Sequence, residues 1–565
     1  MILIFYIVLF FSNSIVINII SINAELTSVI ETEKGPVQGE ILVSVNKKIK
    51  FSSFRGIRYG KPPIGIYRFK PAEEAEAWED IFQATSEATP CPQMDDTNGK
   101  EVIGDEDCLN LNVYTPKTNF SSYNESLPVM VWIYGGRFKE GSSSIKKFGP
   151  DYLIENDVVV VVMNHRLGAL GYLSLNLSDA SGNAGLKDQV LALKWVQKNI
   201  KFFGGDSKSV TIFGQSTGAV AVDFHILSES SRDLFQRSIS MSGSSLCFWG
   251  FAASSQNEFH AYQVANLLGY KVNDKTELLG ILKNESAQNI VKATEKITSV
   301  NLRPFKPVIE DQNIAGDTAF ITKCFVENLK TGQFNQLPHM AGLMSQEILF
   351  FLKPLIQLKD SVEKIRNTTG IIGADVPFNL IPTLSNIFGG QPEDIFSDVI
   401  DDAIDQIIQN LTDAYYVSAI DTKQQLMQKY VPVYYYRNSI ISSMSRHKSV
   451  LGISIDGSAH ADDLPYIWHV SNFKYPTDPQ DPFNINRDKL VRMWTNFAKY
   501  SNPTPLGTKD QILNVTWTVS GSEGYHLEIN QDYLAMGPRP VDENVKKFQP
   551  EHLSSLKKIT DCSYN

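Results

Sequence analysis

The stretch TIFGQSTGAVAV, residues 211–222, contains a spacing in which a serine can act as a nucleophile. Ser216 stands between Gly214 and Gly218, the Gly-x-Ser-x-Gly arrangement that holds a serine hydroxyl at a sharp turn. These five residues alone do not separate that role from a serine in a structural glycine-rich turn. The distinction depends on a base, an acid and the elements that carry them.

A serine hydroxyl becomes nucleophilic when a base lies within hydrogen-bond reach and a carboxylate orients that base. Of the nine histidines, His460 stands in a loop of small residues, DGSAHADDLPYIW, after the apolar segment VPVYYYR. Glu347 follows the apolar part of LPHMAGLMSQEILFF, and the pattern makes it either a solvated loop residue or the partner of an imidazole. We expect His225, His260 and His552 to be ordinary surface or core histidines.

The segments around these residues predict strands and helices in alternation. VMVWIYGG, VVVVVMNHR and SVTIFG are unbroken apolar runs of strand length, whereas LKDQVLALKWVQKNI has helical spacing. Apolar strands separated by helices are typical of a parallel sheet covered on both faces. Because SVTIF is then a buried strand and AVAVDFHIL begins a helix, Ser216 falls at a strand-to-helix turn, which favours the nucleophile.

Composition and charge narrow the classes of function. The chain has 565 residues and a formal charge of −10, and it contains no block of Lys and Arg that would bind phosphates, so nucleic acid is not an expected partner. No repeat, low-complexity tract or linker marks a boundary, which predicts one domain over residues 25–565.

The apolar run MILIFYIVLFFSNSIVINIISINA predicts a signal peptide over residues 1–24, with cleavage near Ala24. The alternative is an N-terminal membrane anchor. Later apolar runs are of strand length and the C-terminus is polar, so we expect a soluble, secreted protein without stable membrane insertion. Seven Asn-x-Ser/Thr sequons agree with that compartment, at Asn119, Asn124, Asn176, Asn284, Asn367, Asn410 and Asn514.

The cysteines cannot all pair within one chain, because there are five of them. The tightest candidate loop joins Cys91 to Cys108. Cys562 lies so close to the end that it could be free or form an intermolecular bond.

Several ordered motifs give the chain a resemblance to a known family. They are FRGIRYGKPPIGIYRFKP, EDCLNLNVYTP, VMVWIYGG, NHRLGALGY, GNAGLKDQVLALKWVQKNIKFFGGD, SVTIFGQSTG, GSAHADDLPY and MWTNFAKYSNPTP. Together they resemble the type-B carboxylesterase and cholinesterase family of α/β-hydrolases, from about Gly35 to Met536. The resemblance implies the α/β-hydrolase fold, with a large, mostly parallel central sheet, helices on both faces and loop and helix insertions.

The resemblance also implies a catalytic triad in the chain order Ser216, Glu347 and His460. Glu347 lies five residues after Gly342, as the family's acid does after its own glycine. The implied reaction is hydrolysis of small carboxylic esters through an acyl-enzyme on Ser216, with no metal and no organic cofactor. The oligomeric state stays open.

The implied oxyanion hole consists of the backbone N–H groups of Gly136, Arg137 and Thr217, and here the chain departs from the family. Arg137 replaces a third glycine, and its cation could stabilise the anion, bind a carboxylate or acyl group, block the hole or point into solvent. Thr217 replaces the usual alanine and brings a β-branched side chain to a tight turn. Ile348 replaces a glycine after the acid.

Other departures bear on the substrate. Gln215 replaces the common glutamate of the elbow, and the segment from Cys91 to Cys108 has no aromatic residue to bind a quaternary ammonium, so choline esters are not expected substrates. A glutamine here together with a G-x-x-H-x-x-D motif resembles arthropod juvenile-hormone esterases. We therefore expect a general secreted serine carboxylesterase, with a juvenile-hormone esterase as the alternative.

Two further classes are considered. Members of this fold family also serve as binding proteins without activity. A catalytically impaired binding protein is therefore the alternative to an enzyme. A lipase would need an apolar lid, to which LIPTLSNIFGG at 380–390 could contribute. Candidate aromatic residues of a pocket, each of which could equally be core packing, are Tyr134, Phe138, Trp249 and Phe351.

Overall fold

The structure is a computed structural model of the chain. It describes residues 6–7, 18–19, 25–95, 99, 101–120, 126–298, 304–351, 399–449, 452, 455–505 and 512–559. The predicted signal peptide therefore lies largely outside the described residues. The same holds for Asn124, Asn367, Cys562, segment 380–390 and the side chain of Phe351.

An eleven-stranded sheet forms the centre of the molecule. The strands in chain order are β1 (Glu40–Val43), β2 (Lys50–Arg58), β3 (Asn110–Thr115), β4 (Leu127–Ile133), β5 (Val159–Met163), β6 (Gly205–Gln215), β7 (Arg237–Met241), β8 (His339–Met344), β9 (Val433–Asn438), β10 (His526–Ile529) and β11 (Leu534–Gly537). Their order across the sheet is β1-β2-β3-β5-β4-β6-β7-β8-β9-β10-β11. The strands from β5 to β10 pair in parallel, and antiparallel pairs close both ends.

Helices cover both faces of this sheet. The longer ones are α1 (Ala184–Asn199), α2 (Thr217–Leu227), α3 (Ser254–Leu267), α4 (Lys275–Asn284), α5 (Ala287–Thr298), α6 (Phe325–Thr331), α7 (Val399–Thr412), α8 (Ser418–Met427), α9 (Pro482–Tyr500) and α10 (Glu543–Ile559). Short helices lie at Asp151–Ile154, Gly168–Tyr172, Gln312–Ala315, Arg446–Ser449 and Leu464–Ile467, and a π-helical turn at Asp413–Val417 joins α7 to α8. Within the described residues, no helix combines the length and apolar composition needed to cross a membrane.

Shorter elements complete the secondary structure. The 3-10 turns are Gly65–Tyr67, Ile200–Phe203, Glu229–Ser231, Gly316–Thr318 and Glu347–Phe351. Small strands outside the central sheet are Tyr6–Ile7, Asn18–Ile19, Ile30–Glu31, Pro36–Gln38, Phe82–Gln83, Gln93–Met94 and Val102–Ile103.

The strands predicted from apolar runs are buried on both faces. All five residues of β5 are buried, and so are the last six of β6, from Val210 to Gln215. Trp132 on β4, Phe213 on β6 and Trp468 form a cluster of rings whose centroids lie 4.7–5.7 Å apart. This cluster fixes β6, and therefore the turn at its carboxyl end, against the chain that follows His460.

The structure contains the expected disulfide between Cys91 and Cys108, whose Cα atoms lie 5.0 Å apart. Cys247 is a free and buried cysteine. The sequons among the described residues are all exposed, namely Asn119, Asn176, Asn284, Asn410 and Asn514.

Candidate active site

Ser216 lies at the turn between β6 and α2, with φ 60° and ψ −126°. This backbone conformation is strained for a residue with a side chain, at a cost of about 1–3 kcal/mol. Two backbone hydrogen bonds hold it: the N–H of Ser216 donates to the carbonyl of Met241 at 2.9 Å, and its carbonyl accepts from the N–H of Val220 at 3.1 Å. The strain is thus fixed by neighbouring elements and sets the direction of the serine side chain.

The flanking glycines allow close approach of three backbone segments. A Cβ atom on Gly218 would lie 2.0 Å from the carbonyl oxygen of Ile133, and one on Gly214 would lie 2.6 Å from the backbone of Gly218. A Cβ atom on Gly135 would lie 2.9 Å from the Cβ of Ser216. The loop after β4 is therefore packed directly against the serine.

That loop contains two of the three predicted oxyanion donors. Gly136 has φ 136°, and Arg137 and Phe138 both have φ near 60°, at 59° and 60°. The N–H groups of Lys139 and Glu140 donate to the carbonyl of Gly136, which closes a tight turn. Thr217, the third, is the first residue of α2, where backbone N–H groups lack helical partners.

The side chain of Arg137 is directed to a carboxylate. Its guanidinium donates to Glu140 at 2.7 Å and is 34% exposed. Among the roles left open by the sequence, this geometry favours a cation neutralised at the surface of the loop. Only its backbone N–H is then available for an oxyanion.

The structure brings Glu347 and His460 together. The Nδ1 atom of His460 lies 2.6 Å from Oε2 of Glu347, and the N–H of His460 donates to the carbonyl of Glu347 at 3.2 Å. The other carboxylate oxygen, Oε1, accepts from the N–H of Met344 at 2.8 Å. Both side chains are buried, so the carboxylate fixes the imidazole with its proton on Nδ1.

The opposite nitrogen of the imidazole reaches the nucleophile elbow. Nε2 of His460 lies 3.2 Å from the amide nitrogen of Gln215, the residue before Ser216. Since Nδ1 carries the proton, Nε2 has the lone pair, and the Gln215 amide is oriented as its donor. Gln215 departs from the family pattern, and no spacing in the sequence indicates its contact with His460.

Aromatic side chains surround His460. Tyr416, in the π-helical turn, lies with its ring centroid 5.2 Å from the imidazole, and Phe350 lies at 6.3 Å. The predicted Trp249 packs on Tyr416 at 5.4 Å. Tyr416 and Phe350 were not predicted, because a π-helical turn and the packing of distant segments leave no local sequence signal.

The other predicted aromatics belong to the oxyanion loop. Tyr134 stacks on His165 at 4.6 Å, and Phe138 packs on Tyr172 at 5.0 Å. Both side chains are buried and stabilise the loop by packing. They are part of the packing of the site.

A second acid lies buried near Glu347. Burial is the largest cause that raises the pKa of Asp463, to about 8, and the negative charges of Glu347 and Asp462 add to it. The backbone N–H groups of Asp463 and Leu464 lower the pKa but do not offset this rise. Asp463 is therefore mostly protonated at neutral pH. The buried carboxylate that His460 contacts is Glu347.

The three histidines expected to be ordinary surface or core residues make other contacts. His225 bonds Ser231 and Gln189, and burial lowers its pKa to about 3. His552 contacts the carbonyl of Leu246 at 2.9 Å through Nε2. His260 lies 2.9 Å from the side-chain oxygen of Gln263. These roles agree with the expectation for all three.

Comparison with known proteins places the chain in a class. The fold is similar to that of solved α/β-hydrolase esterases. The crystal structure of juvenile hormone esterase from Manduca sexta, with OTFP covalently attached, superposes with a TM-score of 0.78 at 28% identity, covering 94% of this chain and 100% of that one. The protein is an α/β-hydrolase. Residues 26–548 match the model described as the carboxylesterase family, and the chain belongs to that family.

Curated relatives agree with this family. The juvenile hormone esterase of Tribolium castaneum is 31% identical over 517 residues, covering 84% of each chain. The pyrethroid hydrolase Ces2a of Mus musculus is 29% identical over 525 residues, covering 90% of this chain and 88% of the relative. These similarities support the interpretation that the chain is a hydrolase of ester bonds.

Proposed function

We propose that the protein is a secreted serine carboxylesterase that hydrolyses carboxylic esters through an acyl-enzyme on Ser216. The observation that supports this most strongly is the buried pair of Glu347 and His460, whose Nδ1 and Oε2 atoms lie 2.6 Å apart, while Nε2 of the same imidazole reaches the elbow. A base oriented by a carboxylate beside a strained serine is the arrangement that acyl transfer requires.

In the first half of the reaction, Nε2 of His460 takes the proton of the Ser216 hydroxyl as Oγ attacks the ester carbonyl. The imidazolium then gives that proton to the departing alkoxide, and the alcohol leaves. In the second half, His460 takes a proton from water, which attacks the acyl-enzyme. The carboxylic acid is released and Ser216 is restored, while Glu347 stabilises the imidazolium in both halves.

The negative charge of each tetrahedral intermediate falls on the oxygen of the former carbonyl. We assign its donors to the backbone N–H groups of Gly136, Arg137 and Thr217. Thr217 begins α2, so the positive end of that helix's dipole adds to the stabilisation. Since the Arg137 guanidinium bonds Glu140, it leaves the hole to backbone groups.

The substrate class follows from the surroundings of His460. Tyr416 and Phe350 place aromatic rings beside His460, and Trp249 packs on Tyr416. The elbow has the neutral Gln215 in place of a carboxylate, so neutral esters are favoured over cationic ones. Juvenile-hormone ester hydrolysis is the second candidate. The relatives from Tribolium castaneum and Manduca sexta carry that name, and Gln215 favours it.

Secretion is part of the proposal. It rests on the apolar leader of residues 1–24, and the exposed sequons and the Cys91–Cys108 disulfide agree with an oxidising compartment. The presence of all three triad residues argues against a binding protein without activity.

Turnover of p-nitrophenyl acetate by the secreted protein and by Ser216→Ala tests the proposal. We expect the variant to lose at least 10³-fold in kcat, because the nucleophile is absent. Ser53→Ala is the matched control: Ser53 is a buried serine of β2 whose hydroxyl has no hydrogen-bond partner among the described residues, so its removal should leave turnover unchanged. A folded wild type without turnover would favour the binding-protein alternative.

Competition between substrates separates the two esterase candidates. A juvenile hormone added at equal concentration to p-nitrophenyl acetate should be hydrolysed with a much higher kcat/KM if the protein is a hormone esterase. A kcat/KM for the hormone that is equal to or lower than that for p-nitrophenyl acetate would favour the general carboxylesterase.

A further inference from the structure

A second imidazole–carboxylate pair lies beside the loop that carries His460. His447 belongs to the short helix Arg446–Ser449, and Asp462 lies two residues after His460. Nδ1 of His447 is 2.6 Å from Oδ2 of Asp462. Both side chains are buried, at 0% and 3% exposure. The pair takes no part in the proposed proton transfers.

The contacts of His447 require it to be a cation. Nδ1 faces the Asp462 carboxylate, and Nε2 faces the carbonyl oxygen of Ile455 at 2.9 Å. Since both partners are acceptors, both ring nitrogens must carry protons. Burial lowers the pKa of His447, but the hydrogen bond and charge of Asp462 outweigh it, so that the pKa of His447 is raised.

The charged groups around His447 are few in the described part of the chain. Asp462 favours the imidazolium, and Lys448 opposes it from the same helix. Lys448 is paired with Asp456, whose negative charge also acts on His447. Arg446, the other cation of this helix, has its guanidinium over the Phe350 ring, 5.3 Å from the ring centroid.

The pair makes hydrogen bonds with the backbone of three residues that precede His460, namely His447, Ile455 and Ala459. Asp462 accepts from the backbone N–H of His447 at 3.0 Å and from that of Ala459 at 2.8 Å. The His447 ring binds the carbonyl of Ile455. Ala459 directly precedes His460, so the pair fixes the backbone from which the imidazole is directed to Glu347.

We propose that His447, as an imidazolium, is a positioning residue for His460, and that its deprotonation releases the loop. This rests on the proposed function, in which His460 is the base. When the proton is lost, Asp462 retains the one on Nδ1, and the lone pair of Nε2 is left facing the carbonyl oxygen of Ile455. The two lone pairs repel, which displaces the backbone that leads to His460.

The expected consequence is an alkaline decrease of kcat. Because the pKa of His447 is raised in the folded state, its stabilisation is complete below the pKa of an unfolded histidine and is lost as the pH rises through the folded pKa. The affected quantity is the orientation of the base, so kcat should fall while KM stays nearly constant.

The test is the pH dependence of kcat for p-nitrophenyl acetate, corrected for spontaneous hydrolysis, in wild type, His447→Gln and Asp462→Asn. Gln cannot titrate, so His447→Gln should have a lower kcat without the alkaline decrease. Asn removes the charge that favours the imidazolium, so Asp462→Asn should move the decrease to lower pH. His552→Gln, which replaces another buried histidine, is the control and should keep the wild-type profile.

The outcomes are distinguishable. A wild-type kcat that stays constant to pH 10 would overturn the proposal even if neither variant folds, and so would an unchanged alkaline decrease in folded His447→Gln. Failure of the proposed function has another signature, which is turnover that persists in Ser216→Ala.

Discussion

In the proposed mechanism, the atoms that face His460 determine how readily Ser216 gives up its proton. On one side, Glu347 fixes Nδ1; on the other, the amide of Gln215 lies 3.2 Å from Nε2, the atom that must accept the proton. A neutral donor at this position orients the imidazole without adding a charge beside it. In the proposed reaction the same lone pair accepts the proton of the Ser216 hydroxyl, so the Gln215 amide must move aside as the reaction begins.

Replacing Gln215 by glutamate should move the acid limb of the pH–rate profile. A carboxylate within about 4–6 Å favours the imidazolium, so half-maximal kcat/KM should move to higher pH by about 1 unit or more. Gln215→Leu, which removes the amide without adding charge, should not move the limb upward. A profile of Gln215→Glu that coincides with that of wild type would contradict the contact.

Replacing Arg137 by glycine tests the assignment of the oxyanion donor to its backbone. Glycine keeps the N–H and adopts φ 59° without strain, and the lost ion pair with Glu140 is exposed enough to be worth about 1 kcal/mol or less. We expect kcat within a few-fold of wild type, as for Glu140→Gln. A loss of 10²-fold or more would mean that the guanidinium itself stabilises the anion.

At the scale of elements, the approach of α2 to β4 positions the serine. Gly218→Ala would place a methyl group 2.0 Å from the carbonyl of Ile133, so we expect a loss of about 3 kcal/mol or more in the free energy of unfolding, together with reduced kcat. Urea unfolding followed by fluorescence measures the first quantity.

Gly280→Ala is the matched control for that substitution. Gly280 lies inside α4, and a Cβ atom there meets nothing within 4 Å. Alanine should therefore stabilise the protein by about 0.5–1 kcal/mol. Equal effects of the two substitutions would contradict the close packing at the elbow.

The elements that carry the site could be predicted because their patterns are local. The run VVVVM is buried on both faces as β5, and SVTIF followed by AVAVDFHIL falls in β6, the turn and α2. Glu347 and His460 could be paired only through the family resemblance, since 113 residues separate them. The roles of Tyr416 and His447 depend on packing between distant segments, and no spacing in the sequence encodes it.

At the scale of the whole molecule, the pH dependence of stability reflects a buried carboxyl group that keeps its proton. Asp463 has a pKa of about 8 in the folded state, so the folded protein keeps a proton that the unfolded chain has lost between about pH 4 and pH 8. The free energy of unfolding should fall over that range, with a slope of up to about 1.4 kcal/mol per pH unit from this group.

Asp463→Asn should remove that part of the pH dependence, because the amide does not titrate. Unfolding in urea at several pH values between 5 and 8.5 measures the slope. The exposed Asp317→Asn serves as control and should keep the wild-type slope. An identical slope in Asp463→Asn and wild type would contradict a protonated Asp463.

The prediction of one domain over residues 25–565 stays a prediction. A continuous buried core that includes residues from Ile30 to Leu556 supports it. This core includes the buried residues of the sheet strands. The elbow, Glu347 and the His460 loop are therefore held by the same packing.

The most direct measurement is covalent labelling of Ser216 by a fluorophosphonate, followed by intact mass and peptide analysis. A phosphonylating probe reacts with a serine only when a base activates it. We predict one adduct per chain, on Ser216, absent in Ser216→Ala and formed far more slowly in His460→Gln. A folded wild type without an adduct, or with an adduct on another residue, would contradict the assignment of Ser216 as the activated nucleophile.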